Sequence, residues 1–140
     1  MIVLDTNMVS EALKPSPSQV VLRWLAAQAP SGVFITIITQ AEMLYGIECL
    51  PPGKRREHLS VEIEKVFVED FPGRILPFNE EAARSYAKIL RGRAAVGRPI
   101  LPLDAMIAAI ARSRSAALAT RNTRDFEDCG VRVINPWMER

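Results

Sequence analysis

MIVLDTN, residues 1–7, decides the fold: four apolar residues, Met1 to Leu4, run directly into Asp5, Thr6 and Asn7. A short β-type run followed by an acid and two small polar residues reads as a strand feeding a helix, with Asp5 able to cap a helix through Glu11. The pattern then repeats. VFITII at residues 33–38 is β-branched and continuous, as for a strand covered on both faces, and a helix over residues 39–49 follows, stopped by Pro51-Pro52-Gly53. Third, fourth and fifth strands are predicted over residues 74–77, 116–120 and 131–134.

Helices fill the gaps. Ser16-Pro17 reads as an N-cap with Pro at the first helical position, followed by Val21, Trp24, Leu25 and Gln28 at helical spacing. Leu59, Ile63, Val66 and Phe67 make residues 54–69 amphipathic. Residues 80–95 are read with Ala83, Ala87, Leu90 and Ala94 on the buried stripe, and the Ala/Ile-rich stretch 102–113 as a buried helix. Strands separated by helices pair in parallel through right-handed crossovers. The expected fold is α/β, a three-layer α/β/α sandwich around a five-stranded parallel sheet, in one domain over residues 1–140.

Composition agrees with this and excludes other classes. The chain of 140 residues is 49% hydrophobic and 24% charged, with no apolar run of membrane-spanning length. No charged leader precedes MIVLDTN, so a cytoplasmic protein is expected. Cys49 and Cys129 lie far apart and the single histidine is His58, which argues against a zinc site or a disulfide framework and for two buried thiols. The net charge of +2 is unevenly spread: residues 79–124 hold nine Lys/Arg against three Asp/Glu, and the remainder nine against thirteen. One basic segment can thus face a polyanion.

The acids beside apolar runs carry the chemistry. Asp5 follows the first strand, Glu42 lies in the first turn of the helix after the second, Asp104 in the first turn of the buried helix, and Asn122 and Asp125 follow the fourth strand. In a parallel α/β sheet these positions share one edge, where ligands bind. Each has an ordinary alternative: a cap at Asp5, a T-x-x-E capping box from Thr39 to Glu42, a helix-dipole acid at Asp104. Gathered together they repel unless a cation lies between them, and oxygen ligands without His or Cys suit Mg²⁺ or Mn²⁺, ions that serve phosphoryl chemistry. Arg84, Lys88, Arg91, Arg93 and Arg98 then read as a phosphate-backbone track, or else as a solvated face with the track along Arg112, Arg114 and Arg121.

MIVLDTNMVSEAL, TQAEMLYGI, LPLDAMIAAIA and ATRNTRDF, in that order, resemble the PIN domain, and along nearly the whole chain they are most similar to VapC toxins. GRILPF and the terminal NPW point to the FitB-like branch. The resemblance implies a Mg²⁺- or Mn²⁺-dependent endoribonuclease, usually a homodimer. It also implies an antitoxin partner of the VapB/FitA kind, whose ribbon-helix-helix domain binds operator DNA. By resemblance Asp5, Glu42 and Asp104 are the core metal-binding acids. Asp125 is favoured as the fourth over Asn122, which becomes an auxiliary ligand. Thr6 and Asn7 support the site, and Thr120 and Arg121 lie where a substrate phosphate could be held.

Competing readings are weaker. A haloacid-dehalogenase-type phosphatase needs a second acid where this chain has Asn7, and a receiver domain needs an acid beside Asp5 and a late lysine after a strand. A DNA nuclease shares the polyanion logic. The main rival is a non-catalytic module that sequesters RNA or its partner within a DNA-binding repressor complex.

Overall fold

A computed structural model describes residues 1–138. Strand β1 (Ile2–Leu4) leads into helix α1 (Thr6–Ala12), and α2 (Gln19–Ala26) follows. β2 (Val33–Thr36) runs into α3 (Ile37–Glu48), then α4 (Lys54–Lys65) with a wider π-type turn over Val66–Asp70. After β3 (Ile75–Leu76) come α5 (Glu80–Ala95), α6 (Pro102–Ser113), β4 (Ala117–Ala119), a 3₁₀ turn over Thr123–Phe126, and β5 (Val133–Ile134).

The five strands form one parallel sheet in the order β3-β2-β1-β4-β5. Alternate residues serve opposite faces. Val3 and Leu118 join a core with Ile89 of α5 and Ile107 and Ile110 of α6, while Leu4, Ile35 and Ala119 join a second core with Met8, Val21, Met43 and Ile63. These are the expected three layers. The chain winds outward from β1 to β3 on one side and through β4 to β5 on the other, so the direction of winding reverses between β1 and β4. That junction is where a doubly wound sheet opens a crevice.

Several local expectations are corrected. The second strand stops at Thr36, not residue 38, because the Thr36 hydroxyl accepts from the Thr39 amide at 3.1 Å and caps α3. Glu42 therefore falls in the second turn, not the first, and closes no capping box with Thr39. The cap of α2 is Ser18 rather than Ser16: its Oγ accepts from the Val21 amide at 3.4 Å, and Pro17 holds Ser16 outside the helix. On α5 the inward face carries Ala82, Ile89 and Arg93, with Tyr86 and Leu90 packed beside it; Ala83, Ala87 and Ala94 are exposed. The larger side chains set the rotation, one residue away from the alanine stripe. Cys129 is buried, but Cys49 is exposed at the C-cap of α3.

Candidate functional site

The reversal between β1 and β4 puts Asp5 and Thr120 side by side. The Asp5 amide extends the sheet ladder by donating to the Ala119 carbonyl at 2.9 Å. Its carboxylate, 5% exposed, accepts from the Thr6 amide at 2.8 Å and from the Thr120 hydroxyl at 2.8 Å. Asp5 is thus the cap of α1 and also the floor of the crevice. Thr120, wholly buried, has spent its single proton on Asp5 and accepts from Asn7 Nδ2 at 3.1 Å and from the Asn122 amide at 3.0 Å.

A second set of hydroxyls holds Glu42. Thr6 Oγ1 donates to Glu42 Oε1 at 2.9 Å and lies 2.9 Å from Thr39 Oγ1. With the Thr6 proton committed to the carboxylate, Thr39 is the donor to Thr6. Thr39, fully buried one turn before Glu42, is a site residue that the sequence does not single out: T-x-x-E spacing suggests a capping box as one alternative, whereas here it stacks hydroxyl and carboxylate on one helix face.

Asp104 lies in the first turn of α6, partly exposed, and Asp125 is exposed on the 3₁₀ turn after β4. Charge unites the four acids. Burial, and then the neighbouring charges of Asp5, Asp125 and Glu42, push the Asp104 carboxyl up to about 6. Asp5 is also raised, mainly by burial; the hydrogen bonds from Thr120 and Thr6 pull it back, and Glu42 and Asp125 push it up again. None of the four is in an ion pair among the described residues. Nor do three acidic, Cys or His side chains among the described residues converge tightly enough to hold an ion by themselves. The acids thus share the edge of the sheet where β1 and β4 end, close enough for their charges to raise Asp5 and Asp104 but in an open arrangement rather than a cage.

The expected basic residues divide. Arg84 is exposed and pairs with Glu80 at 2.8 Å, and Lys88 and Arg91 are exposed on the same helix. Arg93 is not available to RNA. It is 5% exposed, with Nε donating to the Arg98 carbonyl at 2.6 Å and Nη1 to the carbonyls of Asp125 and Glu127 at 2.9 and 2.8 Å. It therefore fastens the Asp125 turn to α5. Arg98 pairs with Glu127 at 2.7 Å and reaches Asp128 at 3.7 Å. Arg121 is exposed, with its guanidinium carbon 5.4 Å from the centre of the Trp137 ring. Asn122 is exposed, and its backbone amide is its link to Thr120.

The sequence pattern of the PIN domain matches residues 2–131. The chain is a PIN domain. It is 40% identical over 137 residues to the VapC ribonuclease Y4jK of Sinorhizobium fredii, covering 98% of each chain. It is also 40% identical over 137 residues to toxin FitB of Neisseria gonorrhoeae, covering 98% of this chain and 99% of FitB. The solved structure of FitAB bound to a DNA fragment superposes with a TM-score of 0.93 at 40% identity, covering 100% of this PIN domain and 98% of that chain. The PIN domain thus belongs to the VapC family, on its FitB-like branch, and among its described residues no helix is long and apolar enough to cross a membrane.

Proposed function

We propose that this PIN domain is a Mg²⁺- or Mn²⁺-dependent endoribonuclease, the toxin of a toxin–antitoxin pair acting in the cytoplasm. The observation that carries the reading is the crevice itself: the charges of Glu42 and Asp125 bear on Asp5 and Asp104, Arg93 only partly offsets them at Asp104, and none of the four acids is ion-paired among the described residues. Keeping such a cluster costs stability unless it is used. The donor set fits the ion. Mg²⁺ binds through one or two carboxylates and keeps its waters, so an open arrangement suits it better than a cage.

Asp5, Glu42 and Asp104 would hold the ion, with Asp125 as fourth acid and Asn122 as an auxiliary oxygen. When bound, Mg²⁺ or Mn²⁺ polarises a phosphodiester and makes hydroxide available at neutral pH. The protein's own part is orientation. Thr120 and the Thr6 amide fix the Asp5 carboxylate, and Thr39 through Thr6 fixes Glu42, so two of the acids keep their direction before substrate arrives. Asn7 ties the start of α1 to Thr120. Arg121, exposed next in the chain, can hold a phosphate of the RNA, and Lys88 and Arg91 can extend the track.

The partner is proposed to be a small VapB/FitA-like antitoxin, the pair assembling on operator DNA. A cationic side chain of its tail would neutralise the crevice in place of the metal. A homodimer is expected, with the exposed Val96, Leu101 and Leu103 around the turn from α5 to α6 as apolar surface for it.

The test is cleavage of RNA by purified, antitoxin-free protein in Mn²⁺ and in chelator, with Asp104→Asn beside wild type. Metal-dependent cleavage lost in the variant is expected. RNA bound but left intact by wild type in Mn²⁺ would favour a sequestering module instead.

A further inference from the structure

Beside the crevice, sharing Thr6 and Asn7 with it, lies a cavity of about 320 Å³ bounded further by Ser10, Glu11, Lys14, Arg121 and Trp137. We propose that it is a nucleotide subsite for single-stranded RNA, in which a base stacks against Trp137 while Lys14 and Arg121 receive the adjoining phosphate. The inference rests on the ribonuclease reading above and adds a recognition element to it.

Three observations support it. The first is how Trp137 is held. The Asn135 side chain accepts from the Trp137 amide at 3.0 Å, so the NPW segment is a turn that presents the indole to α1. There the indole N–H donates to Glu11 at 3.3 Å. Glu11 is an acid only 6% exposed, and its other oxygen pairs with Lys14 at 3.0 Å. Part of the half-buried ring packs on the core below α1, and the buried Glu11 carboxylate orients the rest of it, with Lys14, at the rim of the cavity.

The second is charge. Among the described residues, Lys14 pairs with Glu11 and Arg121 lies over the indole, so two cations face one carboxylate at the cavity beside the acidic crevice. A ligand that carries both a π-face and a negative charge satisfies ring and cations together; a nucleotide does so, and Trp and Arg are the side chains that stack bases. The third is connection. Asn7, on the cavity wall, is joined through Thr120 to Asp5 by two hydrogen bonds of 3.1 and 2.8 Å, and its Oδ1 faces the Arg121 amide at 3.5 Å. A nucleotide in the cavity is therefore a neighbour of the phosphodiester at the carboxylates.

The test uses the full-length chain carrying Trp24→Phe, so that Trp137 is its one indole. In chelator, indole fluorescence is followed while a short single-stranded oligoribonucleotide, or an abasic oligomer of equal length, is added. Quenching by the first and not the second is expected. Trp137→Ala should weaken binding of the base-bearing oligomer about 10-fold and leave the abasic one unchanged. Should Trp137→Ala fail to fold, Arg121→Gln, altered at an exposed side chain, should lower affinity for both oligomers at an unchanged melting temperature. No quenching, or equal losses on both oligomers with Trp137→Ala, would overturn the subsite. Mn²⁺-dependent cleavage by wild type, measured in parallel, separates the failures: cleavage without an indole response sinks the subsite alone, whereas neither cleavage nor binding sinks both readings.

Discussion

Replacing Arg93 by Met keeps the aliphatic stem and removes the guanidinium from a site where it makes three hydrogen bonds to carbonyls, at 2.6, 2.8 and 2.9 Å. Bonds from a charged donor contribute about 1.5–3 kcal/mol each. Part of that loss is offset, since the variant need not desolvate a cation and the exposed loop lets water reach the freed carbonyls of Asp125 and Glu127. The net loss should be about 3 kcal/mol. A chain of this size moves roughly 3–4 °C per kcal/mol, so Arg93→Met should melt about 10 °C below wild type. Thermal unfolding in chelator, followed by circular dichroism, measures this. RNA affinity, read by anisotropy well below the transition, should stay within twofold of wild type, while cleavage falls because the Asp125 turn has lost its anchor. An unchanged melting temperature together with weakened RNA binding would refute the argument and return Arg93 to the phosphate track.

Four further outcomes are expected. The Asp104 carboxyl, pushed up to about 6, gives the metal-free fold its full stability below pH ~4 and costs it stability as pH rises through 6; Asp104→Asn should therefore melt higher than wild type at pH 7.5 in chelator, by about 1 kcal/mol after solvent screening, and lose that advantage at pH 4. If Glu42 holds the ion, saturating Mn²⁺ should raise the wild-type melting temperature by several degrees, on the order of 2.7 kcal/mol at a hundredfold excess over Kd, and Glu42→Gln should shrink the rise; identical responses would leave Glu42 outside the metal site. Thr6→Val removes the donor to Glu42 and should lower kcat at least tenfold with little change in RNA affinity, checked by single-turnover cleavage. Neutralising Lys88 and Arg91 together should weaken RNA binding and flatten its salt dependence by about two counterions; an unchanged slope would make that face of α5 merely solvated.

The sheet could be read from the sequence because its strands are short apolar runs, β-branched except in the Ala-Leu-Ala of β4, and because strand-then-helix alternation admits few topologies. Asp5, Asp104 and Asp125 stand out along the chain because each sits where a strand ends or a helix starts, whereas Glu42 lies a turn deeper in α3 than its spacing suggests. What escaped depends on contacts between distant segments. Arg93 looks like its neighbours Arg91 and Arg98 in sequence; only the arrival of the 125–127 backbone turns it into an internal strut. The alanines of α5 imitate a buried stripe, but Tyr86, Ile89 and Leu90 bury more surface and so choose the face. Thr36 and Thr39 are both plausible caps, and the residue preceding the first helical turn wins. Glu11 and Trp137, 126 residues apart, carry no joint signal along the chain.

The central position of β1 also has a consequence for biosynthesis. Leu4 pairs with Ala119 across almost the whole length of the chain, and the four acids come from residues 5, 42, 104 and 125. A ribosome releases β1 first, yet this strand waits unpaired on one side until β4 has left the exit tunnel, and the closing of that long loop is among the slowest of folding events. No nascent fragment ending before residue 125 holds all four carboxylates. The crevice is therefore complete only once residue 125 has left the tunnel and β4 has paired with β1, well after α1 to α4 have been made.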